Sequence, residues 1–196
     1  MTQGRNHPKK GSSIKVQPLT KEKDVKAIKK LLSDNPRNLC LFTMGINTNL
    51  RASDLVRITA GAVRHCKPGD SFNIKEKKTG KARKITVNNA VFEAVHRLLA
   101  SRDYYDDDPL FRSARGGPLR EETVNHLVKE WTNAINLKGN YGAHSLRKTF
   151  GYMQRTRYSV DIPTLMVMFN HSSQRQTLDY LCIQPEEIHE AYMHEI

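Results

Sequence analysis

The chain has 196 residues, enough for one compact domain with a full core but too few for two ordinary ones. Its 32 lysines and arginines against 20 aspartates and glutamates give a formal net charge of +12. That exceeds the roughly 2 to 8 units that solubility asks of a small domain, so it predicts a polyanionic partner, nucleic acid first. Because the sequence has no apolar run near ~20 residues and no hydrophobic N-terminal signal, we expect a cytoplasmic protein without membrane contact.

The cysteines and the acidic residues give no sign of a metal site. Cys40, Cys66 and Cys182 are isolated from one another and lack a zinc-binding spacing, so we expect reduced thiols. Four aspartates lie between Ser101 and Pro109, but they lack the glycine and the terminal glutamate of a calcium loop. The sequence therefore predicts neither a metal nor a cofactor.

The N-terminal part, residues 1–18, is predicted to be a basic flexible arm. Its first thirteen residues carry almost nothing apolar and cannot offset the entropy of ordering. An arm that contacts DNA and a solvated tail fit this composition equally. Beyond it, Thr20 is expected to cap a first amphipathic helix, and Asn35 followed by Pro36 is expected to open a second, strongly apolar one.

A short helix is expected next, with Ser53 as its cap, so that Arg51 lies just outside the helix N-terminus. A guanidinium presents a rigid fork of donors that suits two phosphate oxygens. A single arginine in a loop would ordinarily be a surface residue, so its assignment depends on the motifs that follow.

From Ala62 to Val87 the pattern changes from helical to alternating, and Thr79-Gly80 supplies turn chemistry between two arms. We therefore predict an α+β fold, mainly α-helical, with a small antiparallel sheet of three strands at one side. The hairpin is strongly basic, and its lysines are either DNA contacts or charges that deter edge-to-edge aggregation. Further helices are predicted after Asn88 or Asn89 and around Trp131, which we expect in the core.

The stretch from Gly142 to Leu181 contains the residues suited to chemistry. His144 and Arg147 are three apart, so they share one face of a helix, at whose start free backbone amides would favour an anion. His171 and Tyr180 are nine apart across a tight turn. Such groups can converge on one phosphate.

Together with Arg51, these motifs resemble the tyrosine recombinase (phage integrase) family, whose catalytic pattern is Arg, Lys, His-x-x-Arg, His or Trp, and a nucleophilic Tyr. The resemblance covers the chain from about Thr20 on and implies the catalytic-core fold of that family over residues 19–196. It implies a site-specific DNA recombinase of integrase or invertase type, which cleaves and rejoins strands through a 3′-phosphotyrosyl intermediate. The catalytic residues that it implies are Arg51, Lys78, His144, Arg147, His171 and Tyr180.

The resemblance also implies a role for each residue. Tyr180 would attack the scissile phosphate, with His144 assisting proton transfer, while Arg51, Arg147 and His171 would hold the nonbridging oxygens. No metal or nucleotide would be needed, because the phosphotyrosyl link keeps the bond energy.

Other residues have supporting roles in this reading. Lys78 would protonate the departing 5′ oxygen, and Asp54 would orient the first arginine from behind. The residues expected to contact the DNA backbone are Lys75, Lys77, Lys81, Arg83, Lys148 and Arg155.

Two features of the sequence depart from the family pattern, and a third leaves two interpretations open. Asn170 stands where the family usually has glycine, although asparagine also tolerates left-handed geometry. Only about twenty residues precede the first helix, so the chain is either a catalytic-domain fragment or a compact member resembling the fimbrial phase-switch invertases. The helix after Pro185 either docks on a neighbouring copy, giving a homodimer or homotetramer on double-stranded DNA, or packs on its own domain. The resemblance implies a bacterial or phage-encoded protein that works at the nucleoid.

Alternative functions are a DNA-binding regulator of the same fold without activity, and a hydrolase resembling ribonucleases that uses His144 and His171 as acid and base. A type IB topoisomerase would share the tyrosine chemistry but relax supercoils without exchanging strands. Loss of Tyr180 would not affect the hydrolase, so this residue separates the two chemistries.

Overall fold

The computed structural model describes residues 15–181, 183 and 185–195, with the side chains at 179 and 185–188 excepted. Within these ranges the chain forms ten helices and one two-stranded sheet. The elements in chain order are α1 Glu22–Leu31, α2 Pro36–Asn47, α3 Ala52–Leu55, α4 Ala60–Arg64, β1 Ser71–Lys75, β2 Ala82–Thr86, α5 Asn89–Ala100, α6 Glu121–Ala134, α7 Ala143–Thr156, α8 Ile162–Phe169, α9 Gln174–Leu181 and α10 Pro185–Tyr192. The mainly helical α+β class predicted from the sequence is confirmed.

The first two helices begin differently. Helix α1 has Lys21 at its N-cap without a side-chain hydrogen bond, so the predicted Thr20 cap is wrong; Glu22 and Asp24 in the first turn instead complement the helix dipole. Helix α2 begins as predicted, because Asn35 Oδ1 accepts a hydrogen bond from Asn38 N at 3.0 Å and proline follows the cap.

Helix α2 forms the centre of the main core and packs against α5 and α7. Its Phe42 meets Trp131 edge to face, with ring centroids 5.9 Å apart, and both rings are buried. Trp131 is therefore a core residue, as predicted. A second, smaller cluster consists of Phe150, Leu165, Phe169 and Leu181, and it lies beneath the C-terminal functional residues.

The sheet has two strands rather than the predicted three. Strands β1 and β2 pair antiparallel, with the buried residues Phe72 and Ile85 opposite each other. Part of the stretch predicted to alternate is helix α4, and the other pairings of the described chain are single bridges, Thr59 with Pro109 and Arg112 with Pro118.

The described end of the N-terminal segment lies against the domain. Gln17 N donates to Asn140 O at 2.8 Å, and Leu19 N donates to Thr149 Oγ1 at 2.8 Å, with Leu19 buried. Of the predicted arm, residues 1–18, the part from 1 to 14 lies outside the described residues. Among the described residues, no helix has both the length and the apolar character needed to cross a membrane.

Gly151 provides a test of how tightly the second cluster is packed. A Cβ at this position would lie 2.5 Å from Phe169 Cζ, so Gly151→Ala must displace that ring. We expect the free energy of unfolding to fall by about 1–3 kcal/mol, the usual cost of overpacking, in a urea titration. Gly117→Ala is the control, because no atom lies within 4 Å of its added Cβ. Equal stability of the two variants would contradict the close packing.

Candidate active site

An open cleft of about 440 Å³ lies between α3, the β1–β2 hairpin, α7 and α9. Its lining residues are Arg51, Ser53, Lys77, Lys78, Glu121, His144, Arg147, His171, Gln176 and Tyr180. All six residues predicted to be catalytic are among them, although they come from distant parts of the sequence.

Arg51 is the N-cap residue of α3, with φ −69° and ψ 150°, and its carbonyl accepts hydrogen bonds from Asp54 N and Leu55 N. Ser53 lies inside this helix, so the predicted Ser53 cap is wrong. The expected location of Arg51 at the helix N-terminus is nevertheless found, and the cap geometry fixes the backbone from which its side chain enters the cleft.

The partner of Arg51 is Glu76, which the sequence did not identify. Arg51 Nη1 lies 3.1 Å from Glu76 Oε2, and the carboxylate is buried. Burial would raise the pKa of Glu76, but a hydrogen bond from Thr79 and the charge of Arg51 outweigh it and lower the pKa to about 2. The one available signal was that Glu76 is the single acid in the basic hairpin.

Asp54, predicted to orient Arg51, makes a different contact. Its Oδ1 accepts a hydrogen bond from Lys77 N at 2.8 Å, and Asp54 is buried. Asp54 therefore holds the hairpin loop against α3, and the carboxylate that meets the arginine is Glu76.

Arg147 is the largest fully buried side chain of the described residues. Its Nη2 donates to Phe169 O at 2.7 Å, while its buried Nε and Nη1 have no hydrogen-bond partner in the described part of the chain. Burial lowers the pKa of Arg147 to about 10, so the group remains charged at neutral pH. Buried donors without a partner are rare, and these two suit an anion bound in the cleft.

His144 lies in the first turn of α7 and reaches solvent at the edge of the cleft. Partial desolvation lowers the pKa of His144, with Glu121 opposing the shift and Arg147 adding to it. The ring is therefore neutral at pH 7 and able to accept a proton. The amides of Ala143 and Ser145 are already bonded, to Asn125 Oδ1 and to Gly142 O, so the arginines rather than the helix start supply most anion-binding donors.

His171 follows the C-cap of α8. Asn170 has φ 54°, which confirms that asparagine takes the left-handed position expected there. His171 Nδ1 lies 3.0 Å from Oγ1 of the buried Thr177, and its ring stacks on Phe169 with centroids 5.0 Å apart. Burial, reinforced by Arg147 and Arg51, lowers the pKa of His171 to about 4. The contact with Thr177, which the sequence did not reveal, leaves Nε2 to act in the cleft.

Tyr180 lies in α9, half-buried among aromatic and cationic groups. Its ring meets His171 edge to face, with centroids 5.4 Å apart. The Arg147 guanidinium carbon and Lys148 Nζ lie 5.8 Å and 5.4 Å from the Tyr180 centroid. Two cations therefore lie within cation–π distance of the ring that carries the proposed nucleophile.

The six residues predicted to contact the DNA backbone fall into three groups. Lys75, Lys77 and Lys81 are exposed. Lys148 is buried beside the Tyr180 ring, and Arg83 donates to Met168 O at 2.7 Å and pairs with Glu76. We therefore assign these last two to the interior of the site. Arg155 lies against Tyr152, with its guanidinium carbon 5.9 Å from the ring centroid.

The described residues include no group of three or more His, Cys, Asp or Glu side chains close enough to hold a metal ion. In the acidic loop, Asp106 pairs with Arg64 and Asp108 with Arg112.

Burial raises the pKa of the Cys40 thiol, while Cys66 is partly exposed. Cys182 lies outside the described residues.

Comparisons with known proteins agree on one family. A family model described as the phage integrase family matches residues 9–187. The probable integrase/recombinase YoeC of Bacillus subtilis (strain 168) is 33% identical over 181 residues, covering 90% of this chain and 95% of YoeC. Tyrosine recombinase XerC of Caldanaerobacter subterraneus subsp. tengcongensis is 32% identical over 172 residues, covering 83% of this chain and 47% of XerC. This chain thus spans about half the length of that XerC protein.

The fold of the chain also resembles that of a solved recombinase. The XerH site-specific recombinase, solved in a post-cleavage complex with a palindromic difH substrate, superposes with a TM-score of 0.71 at 19% sequence identity. The match covers 91% of this chain and 53% of the XerH chain. At this identity the likeness shows the shared fold, and it confirms the fold class predicted from the sequence.

The lowered pKa of His171 predicts how stability depends on pH. Between about 4 and the ordinary histidine value of 6.5, the unfolded chain binds a proton at this residue that the folded chain does not. The free energy of unfolding should therefore fall as pH drops through this window, and His171→Gln should reduce that fall. Urea titrations from pH 4.5 to 7.5 measure the effect, with the exposed His126→Gln as control. Parallel curves for wild type and His171→Gln would refute the assignment.

Proposed function

The chain belongs to the phage integrase family, and from this membership we propose that it is a site-specific DNA recombinase of integrase or invertase type. It cleaves a DNA strand through a 3′-phosphotyrosyl intermediate and then rejoins it. The observation that carries the proposal is that Tyr180 shares one cleft with two arginines, two neutral histidines and Lys78. Together these groups can supply a nucleophile, a proton acceptor, a proton donor and positive charge for an in-line displacement at a phosphodiester.

In the proposed cleavage step, the Tyr180 oxygen forms a bond to phosphorus while the bond from phosphorus to the 5′ oxygen breaks. The tyrosine proton passes to His144, which is neutral and reaches solvent. Lys78 on the hairpin loop gives a proton to the departing 5′ oxygen. The reverse sequence, with a 5′ hydroxyl of another strand as attacking group, rejoins the DNA.

Charge on the nonbridging oxygens grows as the displacement proceeds, and the arginines are suited to stabilise it. Arg147 supports this role with two buried donors that have no hydrogen-bond partner in the described part of the chain. Arg51 supplies a second guanidinium at the same cleft. With Thr177 at its Nδ1, neutral His171 is left to donate through Nε2 to one oxygen.

The proposed partner is double-stranded DNA, which the net charge of +12 favours through counterion release. The XerH complex with its DNA substrate supports the same choice. We further propose that the chain acts as a homodimer or homotetramer on DNA through α10, Pro185–Tyr192, at the bacterial nucleoid. Tyr192 and Met193 at the end of this helix are exposed and available for such a contact.

The proposal is tested with Tyr180→Phe. The substrate is a nicked duplex that carries a site enriched from genomic DNA by binding to this protein, incubated in excess EDTA. Wild type should become covalently attached to a 3′ phosphate, seen as a shifted band under denaturing conditions. Tyr180→Phe should bind the duplex with unchanged affinity yet form no adduct, because Tyr180 is the one tyrosine among the described residues that line the cleft.

Tyr105→Phe, at an exposed loop tyrosine, controls for the loss of a phenol elsewhere. If Tyr180→Phe still cleaves, the histidine-based hydrolase takes the place of this proposal. If wild type binds the duplex but forms no adduct, the chain is the silent regulator.

Lys77 and Lys78 both line the cleft, so the assignment of the general acid to Lys78 is a separate prediction. Lys78→Ala should slow adduct formation more than Lys77→Ala. A substrate with sulfur in place of the bridging 5′ oxygen should restore the rate of Lys78→Ala, because a thiolate with a pKa near ~8.5 leaves without a proton. Restoration of Lys77→Ala instead would transfer the role to Lys77.

A further inference from the structure

Glu76 lies where three segments of the site meet. Its carboxylate lies 3.1 Å from Arg51 Nη1 and 3.3 Å from Arg83 Nη1. It also accepts hydrogen bonds from Thr79 Oγ1 at 2.7 Å and from Asn170 Nδ2 at 3.2 Å. Its side chain has no exposed surface, so the carboxylate is fully committed to these four groups.

The first consequence concerns charge. Arg51, Arg83 and Arg147 lie close enough for each of the first two to lower the pKa of the third. Glu76 is the carboxylate that separates Arg51 from Arg83. Removing its charge would leave two guanidiniums facing each other in a buried environment, where an unpaired charge is costly.

The second consequence concerns position. Glu76 is the first residue beyond β1, and its backbone closes the hairpin loop through hydrogen bonds with Lys81 O and Gly80 N, each 2.9 Å long. This loop carries Lys78. On the other side, Arg83 donates to Met168 O at 2.7 Å, so the pair also fixes the chain just before His171.

We propose that Glu76 is a positioning residue for strand cleavage. Its carboxylate holds Arg51, the loop of Lys78 and the segment before His171 in one arrangement before DNA is bound. It touches none of the reacting atoms. The inference rests on the proposed recombinase function. It gives Glu76 a role that the family pattern does not include and that was predicted from the sequence for Asp54.

The first test compares Glu76→Gln with Glu93→Gln, an exposed glutamate on α5 that undergoes the same change in charge. With the nicked duplex, Glu76→Gln should form adduct on the order of 10- to 100-fold more slowly, as is typical when a group that orients a functional side chain is lost. Its DNA affinity should not fall, since the net charge rises. Adduct formation within twofold of Glu93→Gln would overturn the proposal.

A second measurement does not depend on activity. His171 N donates to Met166 O at 3.0 Å, so hydrogen–deuterium exchange over residues 166–171 reports whether this segment is held. Exchange there should be faster in Glu76→Gln than in Glu93→Gln. Unchanged exchange would overturn the proposal even if cleavage slowed.

Glu76→Asp keeps the charge but shortens the side chain by one methylene, so it cannot reach all four partners. We expect a melting temperature near that of wild type and an intermediate cleavage rate. If Glu76→Gln fails to fold, Glu76→Asp tests the proposal instead. Full cleavage activity of Glu76→Asp overturns the proposal, and a several-fold loss supports it. If wild type forms no adduct, the recombinase function itself fails, and the exchange measurement still tests the positioning.

Discussion

The ion pairs of Glu76 with Arg51 and Arg83 set the electrostatic balance on which the cleft depends. A buried charge is tolerated when it is paired, and one carboxylate partly offsets these two guanidiniums. In the described part of the chain, Arg147 forms no ion pair with a carboxylate, and its one hydrogen bond goes to a carbonyl, Phe169 O. The site therefore keeps a positive surplus whose remaining donors face the cleft, and an anion completes the balance.

The aromatic cluster under the cleft links the proposed nucleophile to the phosphate-binding residues. Phe169 contacts the rings of His171 and Tyr180 and lies beneath the Arg147 guanidinium. Gly151 packs so closely against the Phe169 ring that the ring has little space to move. Since three functional side chains rest on one ring, packing in the small second core controls their mutual distances more directly than the main core does.

Local signals predicted much of the fold, and non-local contacts account for what was missed. Apolar periodicity and the Asn35 cap predicted most of the helices but not α4, and the family motifs identified six of the ten residues that line the cleft. The predicted third strand is wrong: part of the stretch predicted to alternate forms helix α4, and the described sheet has two strands. Glu76 could not be assigned, since its partners Arg51 and Asn170 lie 25 and 94 positions away. Lysine is usually exposed, so burial of Lys148 was not expected from sequence.

The two histidines share a lowered pKa for the same reason, yet their surroundings give them different tasks. Each ring is partly desolvated and lies near Arg147 and Arg51, which disfavours a further positive charge. His171 is partly buried and contacts Thr177 through one ring nitrogen, so in the proposed mechanism it acts as a fixed neutral donor. His144 reaches solvent, so a proton that it accepts can leave. In the proposed mechanism, one cluster of arginines therefore has two effects: it supplies positive charge for the phosphate and, by keeping both rings neutral, leaves His144 as the ring suited to accept and release a proton.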